Sequence, residues 1–177
     1  MENIEKNEIS GLGNTACETV LPAVPLQPLK EIERSIQKKY RNELWSPFIR
    51  ALKEFELVEE GDRIAIAISG GKDSLLLSKL FQELKRASKT NFELVFISMN
   101  PGFNDINLQN LKKNLDYLEI PCEIYNDNIF EIAEQIAKDY PCYMCAKMRR
   151  GILYKNIEDM GYNKLALGHH FDDVIET

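Results

Sequence analysis

An apolar run, a glycine-rich turn and a helical pattern follow one another without a break, and this stretch constrains the fold most. Residues 64–68 (IAIAI) are apolar throughout, as in a strand buried inside a parallel sheet. Large apolar residues then recur at helical spacing, at Leu76, Leu77, Leu80, Phe81 and Leu84. The six residues between these patterns, 69–74 (SGGKDS), are therefore predicted to form a strand-to-helix turn.

This turn has the chemistry of an anion-binding site. Its adjacent glycines, Gly70 and Gly71, carry no Cβ, so backbone N–H groups can point inward. The start of the following helix adds partial positive charge. Further donors come from the side chains of Ser69, Lys72 and Ser74. The two commonest phosphate motifs are absent, since GxGxxG lacks its third glycine and Asp73 stands where GxxxxGK[ST] requires Ser or Thr.

Composition indicates a globular domain inside the cell. The 177 residues are 44% hydrophobic and 28% charged, which is typical of a domain with a sizeable core. Because the net charge is -6, affinity for nucleic acid would have to come from local basic patches. No segment approaches the roughly 18 apolar residues of a membrane helix, and the polar N-terminus has no signal-peptide pattern. A cytoplasmic location without membrane contact is predicted.

The chain is predicted to have three parts. Residues 1–28, punctuated by prolines, are expected to be a flexible tail. Residues 29–58 are expected to form two helices, the first with five basic and three acidic residues on its polar face. That face is either an RNA-phosphate contact or an ordinary solvated surface. Residues 59–177 alternate strands and helices, which predicts an α/β domain with a mostly parallel sheet.

A second polar motif, 168–177 (GHHFDDVIET), follows the fourth predicted strand, 164–167. If that strand lies beside the first, this motif and the SGGKDS turn face one crevice. Carboxylates of the motif could then hold Mg²⁺ on a pyrophosphate. The alternatives are that they cap a helix, or that His169, His170 and Asp172 bind zinc, which is the weaker alternative for adjacent histidines.

A cysteine pair, Cys142 and Cys145, is predicted to lie between a helix and a second, basic helix. Four cysteines in a cytoplasmic chain favour metal or redox use over disulfides. Zinc would require another close pair, and an iron–sulfur cluster requires three or four thiolates. The remaining cysteines are Cys17, in the predicted tail, and Cys122, which is predicted to be structural.

Taken together, the three motifs resemble the tRNA 2-thiocytidine synthetase family of PP-loop ATP pyrophosphatases. SGGKDS, then PCxxC with a paired-arginine helix (CAKMRRGILY), then LGHHFDDVIET occur in that family's order, over about residues 29–177. The resemblance implies a Rossmann-like parallel sheet of the PP-loop (adenine nucleotide α-hydrolase-like) type. It also implies ATP, Mg²⁺ and a [4Fe-4S] cluster as cofactors, tRNA as substrate and a homodimer, and it leaves the sulfur donor unknown.

Residue roles follow from the resemblance for SGGKDS and the cysteine pair, and from the predicted crevice and charges for the remaining residues. Nucleotide binding is assigned to Ser69, Gly70, Gly71, Lys72, Asp73, Ser74, Gly168, His169, Asp172 and Asp173. Catalytic roles fall on Lys72, Asp73, Cys142 and Cys145. The cysteines match two of three cluster ligands, whereas Asp73 and Asp173 are candidate Mg²⁺ ligands, with Asp73 alternatively a helix cap. Arg149 and Arg150 either meet tRNA phosphate or are solvated.

The implied activity is ATP-dependent thiolation of an anticodon-loop cytidine, in which adenylation of the C2 oxygen precedes its replacement by sulfur. One alternative is another PP-loop tRNA-modifying ligase such as a lysidine synthetase, which shares SGGxDS but does not need the cysteine pair. Another is a non-catalytic nucleotide- or metal-binding fragment.

The family's third cluster cysteine and its tRNA-contacting C-terminal part lie beyond the position that matches Thr177. We therefore expect a sheet truncated after its fourth strand, with that strand's outer edge unpaired. The 177-residue chain by itself is expected to be marginally stable or self-associating, and to have little thiolation activity.

Overall fold

The computed structural model describes residues 26–100, 103–126 and 141–169. Strands and helices alternate from residue 63 onward, which confirms the predicted α/β class. The elements are α1 (Leu29–Gln37), a π-helical turn (Arg41–Trp45), α2 (Ser46–Glu54), β1 (Arg63–Ala67), α3 (Lys72–Ala87), β2 (Glu93–Asn100), α4 (Asp105–Tyr117), β3 (Cys122–Asn126), α5 (Pro141–Asp159) and β4 (Lys164–Leu167). Most of the predicted tail lies outside the described residues, and the predicted division into three parts stays a prediction.

The four strands form one parallel sheet in the order β3-β2-β1-β4. Strand β1 pairs with β2 on one side and β4 on the other, so that Ala65 lies between Val95 and Leu165. Its central residues are sealed from solvent on both faces, with Ala65 and Ile66 each 0% exposed. An uninterrupted apolar sequence suits such a strand, because neither face meets water.

Helices cover both faces of the sheet. Helices α2, α3 and α4 pack on one face, around a core that includes Leu52, Ile64, Ile66, Phe81, Leu84, Phe96, Leu111 and Leu115. Helix α5 packs on the opposite face, where Leu153 and Ile157 meet Ala65, Val95 and Ile97. None of the described helices is long and apolar enough to cross a membrane.

The N-terminal helices are attached to α3 by a buried ion pair. The Lys79 side chain is 2% exposed, and its Nζ lies 2.7 Å from Glu33 Oε1 of α1 and 3.1 Å from the Leu118 carbonyl. Arg86 Nη1 lies 2.9 Å from the same Glu33 oxygen. Burial alone would raise the pKa of Glu33, but the hydrogen bonds and charges of the two cations outweigh it and lower the pKa.

A buried carboxylate, that of Asp62, holds β4 at its amino end. Asp62, 5% exposed, precedes β1, and its Oδ2 lies 2.7 Å from Lys164 Nζ at the start of β4. Asn163 Nδ2 donates to the other Asp62 oxygen at 2.8 Å. These hydrogen bonds lower the pKa of Asp62 although burial opposes them. Lys164 and Asn163 therefore fix β4 beside β1 rather than leaving it a loosely held edge.

Two details of the helices differ from the sequence predictions. The pair Ser46-Pro47 predicts a helix that starts there with Ser46 as its cap, but α2 continues directly from the π-helical turn, and Trp45 before it already has helical backbone angles. The cysteine pair was expected to precede the basic helix, but α5 begins at Pro141, so Cys142 and Cys145 lie inside that helix. Proline is compatible with the first helical position, because that residue's N–H has no intrahelical acceptor.

We predict that Glu33→Leu lowers the free energy of unfolding by about 3 kcal/mol, because it leaves the Lys79 ammonium buried without its carboxylate. The double variant Glu33→Leu/Lys79→Met should recover most of this loss. Urea unfolding at pH 7 measures both, with exposed Glu31→Leu on the same helix as the control. Equal losses in the single and double variants would contradict the buried-pair account.

The same carboxyls make stability depend on pH. Because the pKa values of Glu33 and Asp62 are lowered in the folded chain, their stabilisation is complete at neutral pH. It should be lost as the pH falls below about 4, through the folded-state values. Urea midpoints measured from pH 7 to pH 3 should therefore fall less steeply in Glu33→Leu/Lys79→Met than in the parent chain.

Candidate nucleotide-binding site

The SGGKDS turn lies at the carboxyl end of β1, where the strand order reverses. From β1 the sheet extends through β2 and β3 on one side and to β4 on the other. In parallel α/β sheets such a reversal leaves a crevice between adjacent carboxyl ends, where ligands bind. The loops after β1 and β4 both open into this crevice, as the sequence predicted.

Gly168, directly after β4, touches the first turn of α3. A Cβ placed on Gly168 would lie 2.9 Å from both N and Cα of Ser74, and 3.1 Å from the carbonyl carbon of Asp73. These are backbone atoms that cannot turn aside, so only glycine fits here. The first residue of the GHHFDDVIET motif is thus in direct contact with the end of the SGGKDS motif.

Within the turn, the two serines hold the backbone in shape. The Ser74 hydroxyl donates to the Gly71 carbonyl at 2.9 Å, and it lies 3.2 Å from Ser69 Oγ. The Ser69 N–H donates to Ser74 Oγ at 3.3 Å. Gly70 has a φ of +88°, in the left-handed region that favours glycine. The serines are therefore structural parts of the turn as well as candidate donors.

Helix α3 begins at Lys72 without a side-chain cap on its N-terminus. Asp73 does not cap it, which rules out that alternative for Asp73. Both Asp73 carboxylate oxygens instead accept from Lys72 Nζ, at 2.9 and 3.0 Å. The uncapped N–H groups of the first turn, with the helix dipole, form a place for an anion.

The Lys72–Asp73 ion pair is exposed, with the Lys72 side chain 85% accessible. Exposed pairs of this kind contribute little free energy, so a ligand can separate them at small cost. A phosphate would then take Lys72 and a divalent cation would take Asp73. The two residues together therefore suit a metal–nucleotide complex, with Lys72 for its phosphate and Asp73 for its cation.

A cleft of about 230 Å³ opens beside the turn. Its apolar wall comes from the ends of β1 and β2, and its opposite wall from α5. The lining residues are Ala67, Ile68, Ser69, Ser74, Ile97, Met99, Phe103, Arg150, Leu153, Tyr154, Leu167, Gly168 and His169. Apolar walls with a few polar groups at one end suit a base or ribose whose phosphates reach the turn.

Sequence reasoning missed part of this lining. The sequence offers Arg150 as a tRNA-phosphate contact or a solvated residue, not as part of a nucleotide cleft, and it does not single out Tyr154, Met99 or Phe103. A signal for Tyr154 was available, since it follows Arg150 by four residues and so shares its helical face. Met99 likewise follows Ile97 by two residues in a strand, which places both on one face.

The other predicted site residues are only partly covered by the structure. His169 lines the cleft, whereas His170, Asp172 and Asp173 lie outside the described residues. The backbones of Cys142 and Cys145 are in α5, but their side chains are also outside the description. In the described part of the chain, no three His, Cys, Asp or Glu residues are grouped to hold a metal.

Cys122 lies apart from the cleft. It starts β3, the strand farthest from β4 in the described sheet, where it pairs with Phe96 of β2, and it does not line the cleft. Burial, reinforced by the nearby Glu123 charge, raises the pKa of its thiol to about 12. The free Cys122 thiol is therefore protonated at physiological pH and is a weak nucleophile. This agrees with its predicted structural role.

A phosphate turn at the reversal point of a parallel sheet defines a nucleotide-binding α/β protein. The PP-loop domain family matches residues 30–177, which is most of the chain. The chain therefore belongs to the PP-loop family, and the fold expected from the resemblance is confirmed.

Two similar curated proteins are named for the activity that the sequence predicts. The tRNA-cytidine(32) 2-sulfurtransferase of Yersinia pseudotuberculosis is 35% identical over 148 residues, covering 80% of this chain and 45% of the relative. The protein of the same name from Pelobacter propionicus is 38% identical over 130 residues, covering 72% and 48%. The chain thus spans about half the length of the curated relatives it matches.

A solved structure shares the fold. The U34-tRNA thiolase NcsA from Methanococcus maripaludis, determined with its [4Fe-4S] cluster, superposes with a TM-score of 0.55 at 24% identity. The alignment covers 82% of this chain and 46% of that protein.

We predict that Gly168→Ala weakens ATP binding at least about tenfold, because its methyl group would force the β4 loop away from Ser74. Calorimetric titration with Mg-ATP measures the affinity. The control is Gly151→Ala in α5, where a Cβ meets no atom within 4 Å. A folded Gly168→Ala variant that binds ATP as the parent does would show that the loop contact is not needed.

Proposed function

We propose that this chain forms the ATP-binding part of a tRNA sulfurtransferase that replaces the C2 oxygen of an anticodon-loop cytidine with sulfur. The observation that carries the proposal is the contact between Gly168 and the first turn of α3, which joins two motifs in one crevice. The names of the curated relatives support tRNA cytidine as the substrate.

The proposed reaction has two displacements. The cytidine C2 oxygen attacks the α-phosphorus of ATP, the bond to the bridging oxygen breaks, and pyrophosphate leaves. Sulfur at the sulfide level then forms a bond to C2, the C2–O bond breaks, and AMP leaves with that oxygen. Adenylation is required because the original oxygen is a poor leaving group, whereas AMP is a good one.

The residues of the turn would serve the first displacement. Negative charge grows on the β-phosphate as pyrophosphate departs, and donors aimed at it stabilise the transition state. The N–H groups at the start of α3 and the Lys72 ammonium are the donors that would stabilise this negative charge. Asp73 carries the hard oxygen ligands that Mg²⁺ prefers, and Asp173 is proposed as its partner.

The cleft would hold the adenosine. Its wall at Ile97 and Met99 is apolar, as a base requires, and Tyr154 and Arg150 stand across from it. Arg150 thus lines the nucleotide cleft itself, so the proposal assigns it to ATP or to the substrate beside ATP rather than to a distant tRNA contact.

Cys142 and Cys145 are proposed to hold two of the ligand positions of a [4Fe-4S] cluster, which would supply or carry the sulfur. Their spacing of three residues within α5 puts both on one side of the helix. Two thiolates are fewer than the three or four that a cluster needs. A homodimer and a cytoplasmic location belong to the same proposal.

We predict that Lys72→Ala weakens ATP binding about tenfold or more, because a charge-assisted hydrogen bond to phosphate is lost. Asp73→Ala should weaken binding only when Mg²⁺ is present. Titrations with and without EDTA separate these effects, and exposed Lys89→Ala is the charge-matched control. If folded Lys72→Ala and Asp73→Ala both bind Mg-ATP normally, the proposed ATP site is wrong.

We predict that iodoacetamide at pH 8 modifies Cys142 and Cys145 far faster than Cys122. At a pKa of about 12, only about one Cys122 thiol in ten thousand is ionised at that pH. The start of α5, with Lys147 and Arg150 nearby in the sequence, favours thiolates at the pair. Peptide mass spectrometry assigns each site.

Anaerobic reconstitution with iron and sulfide should protect Cys142 and Cys145 from the same reagent. Labelling of Cys122 as rapid as that of Cys142 would contradict the burial account. Unprotected, unreactive thiols at Cys142 and Cys145 would rule out the proposed cluster ligands.

A further inference from the structure

We propose that the outer surface of the π-helical turn and α2 binds the sugar–phosphate backbone of RNA. The surface is defined by Arg41, Trp45, Ile49, Arg50 and Lys53, and we refer to it as the helical basic surface. The inference rests on the proposed function only in that RNA is taken to be the polyanionic partner. It assigns RNA binding to a part of the chain that is separate from the ATP cleft.

The N-terminal helices carry charge opposite to that of the chain. Residues 29–54 contain seven Lys or Arg and four Glu, a net charge of +3, whereas the whole chain has a net charge of -6. A positive region on an acidic protein attracts RNA locally while the remaining surface repels it. Such a distribution favours one docking site over diffuse binding.

The cations of this surface are available to a partner. Arg41, Arg50 and Lys53 are exposed, and none of them forms an ion pair with any residue in the described part of the chain. Glu33 of α1 is already engaged by Lys79 and Arg86. Contacts between unpaired cations and phosphates release counterions, which is the main source of RNA affinity.

The surface also has a concave shape. Its residues line a groove of about 500 Å³, in which Trp45 and Ile49 are half-buried and the three cations stand exposed, with Glu54 also on the lining. Arg41, Trp45, Ile49 and Lys53 recur every four residues and so follow one helical face. An apolar floor between cations accommodates ribose while phosphates reach the rim.

The chain departs from ordinary α-helix at this place. The Tyr40 N–H donates to the Ser35 carbonyl, five residues back, at 2.8 Å, and the π-helical turn follows at Arg41–Trp45. Such turns are uncommon and occur frequently at functional sites. This observation is independent of the charge pattern and points to the same surface.

RNA bound here would be held in a fixed relation to the ATP site. Phe48 of α2 packs edge-on against Phe81 of α3, with ring centroids 5.3 Å apart, and the Glu33–Lys79 pair joins α1 to α3. Helix α3 begins at the phosphate turn. The helical basic surface and the turn therefore belong to one packed unit, which suits a surface that presents RNA to a nucleotide site.

The chain carries its own probe for this test. Trp45 is the single tryptophan of the sequence and lies in the groove. Titration of the 177-residue chain with unmodified tRNA at low salt should change Trp45 fluorescence, whereas ATP alone should not. The triple variant Arg41→Gln/Arg50→Gln/Lys53→Gln should bind tRNA at least about tenfold more weakly.

The salt dependence identifies the contacts. The slope of log affinity against log salt should fall by about two to three in the triple variant, close to one for each lost phosphate contact. Lys89→Gln/Lys112→Gln/Lys113→Gln is the control, since it removes the same charge from exposed positions elsewhere. It should leave the slope and the fluorescence change intact.

Three results would overturn the proposal. They are tRNA binding by the triple variant equal to that of the parent, no tRNA binding by the parent at low salt, and equal fluorescence changes with polyglutamate, which would indicate an acidic protein partner. ATP affinity of the triple variant should equal the parent's, so that failure here is separable from failure of the ATP site. If ATP is not bound while tRNA binding depends on these cations, the proposed function fails and this inference stands.

Discussion

The site depends on the pairing of β1 with a strand on each side. Because β2 and β4 flank β1, both faces and both edges of β1 are covered, and its residues can be apolar without interruption. The same pairing places the reversal of strand order beside the one strand that ends in SGGKDS. The phosphate turn, the contact with Gly168 and the cleft under α5 all follow from that placement.

Buried charges then fix the parts around this strand. Asp62 ties the start of β1 to Lys164 of β4, and Lys79 ties α3 to α1. Each pair joins segments distant in sequence, so each sets a relative position that apolar packing alone leaves adjustable. The buried positions of Asp62 and Lys79 show how much the assembly relies on them, since an unpaired charge there would be strongly destabilising.

Much of this arrangement was predictable from sequence. The β1–turn–α3 unit combines an apolar run, paired glycines and a helical leucine pattern, and β4 was placed at 164–167, as the structure has it. These features are local, so local sequence determines them. The burial of Lys79 could not be predicted, because a lysine on a helix is normally solvent-exposed. Its burial depends on Glu33, which is 46 residues away in the sequence.

The start of α5 and the π-helical turn escaped prediction for a related reason. The sequence predicts a basic helix that starts after Cys145, whereas the helix already begins at Pro141, a residue well suited to the first helical position. The π-helical turn at Arg41–Trp45 was not predictable, because apolar residues keep ordinary helical spacing through it, at Ile36, Tyr40 and Leu44. Side chains such as Phe103 and Tyr154 join the cleft only through the packing of separate segments.

The close approach of Gly168 to Ser74 has a dynamic consequence. Because Gly168 has no side chain, its backbone lies close to that of Ser74, and a shift of the phosphate turn toward β4 would displace Gly168 as well. A ligand that restrains the SGGKDS turn would also restrain the end of β4. The two segments would then lose conformational entropy in one binding step instead of two. The absence of a side chain at Gly168 is what allows the two segments to move together.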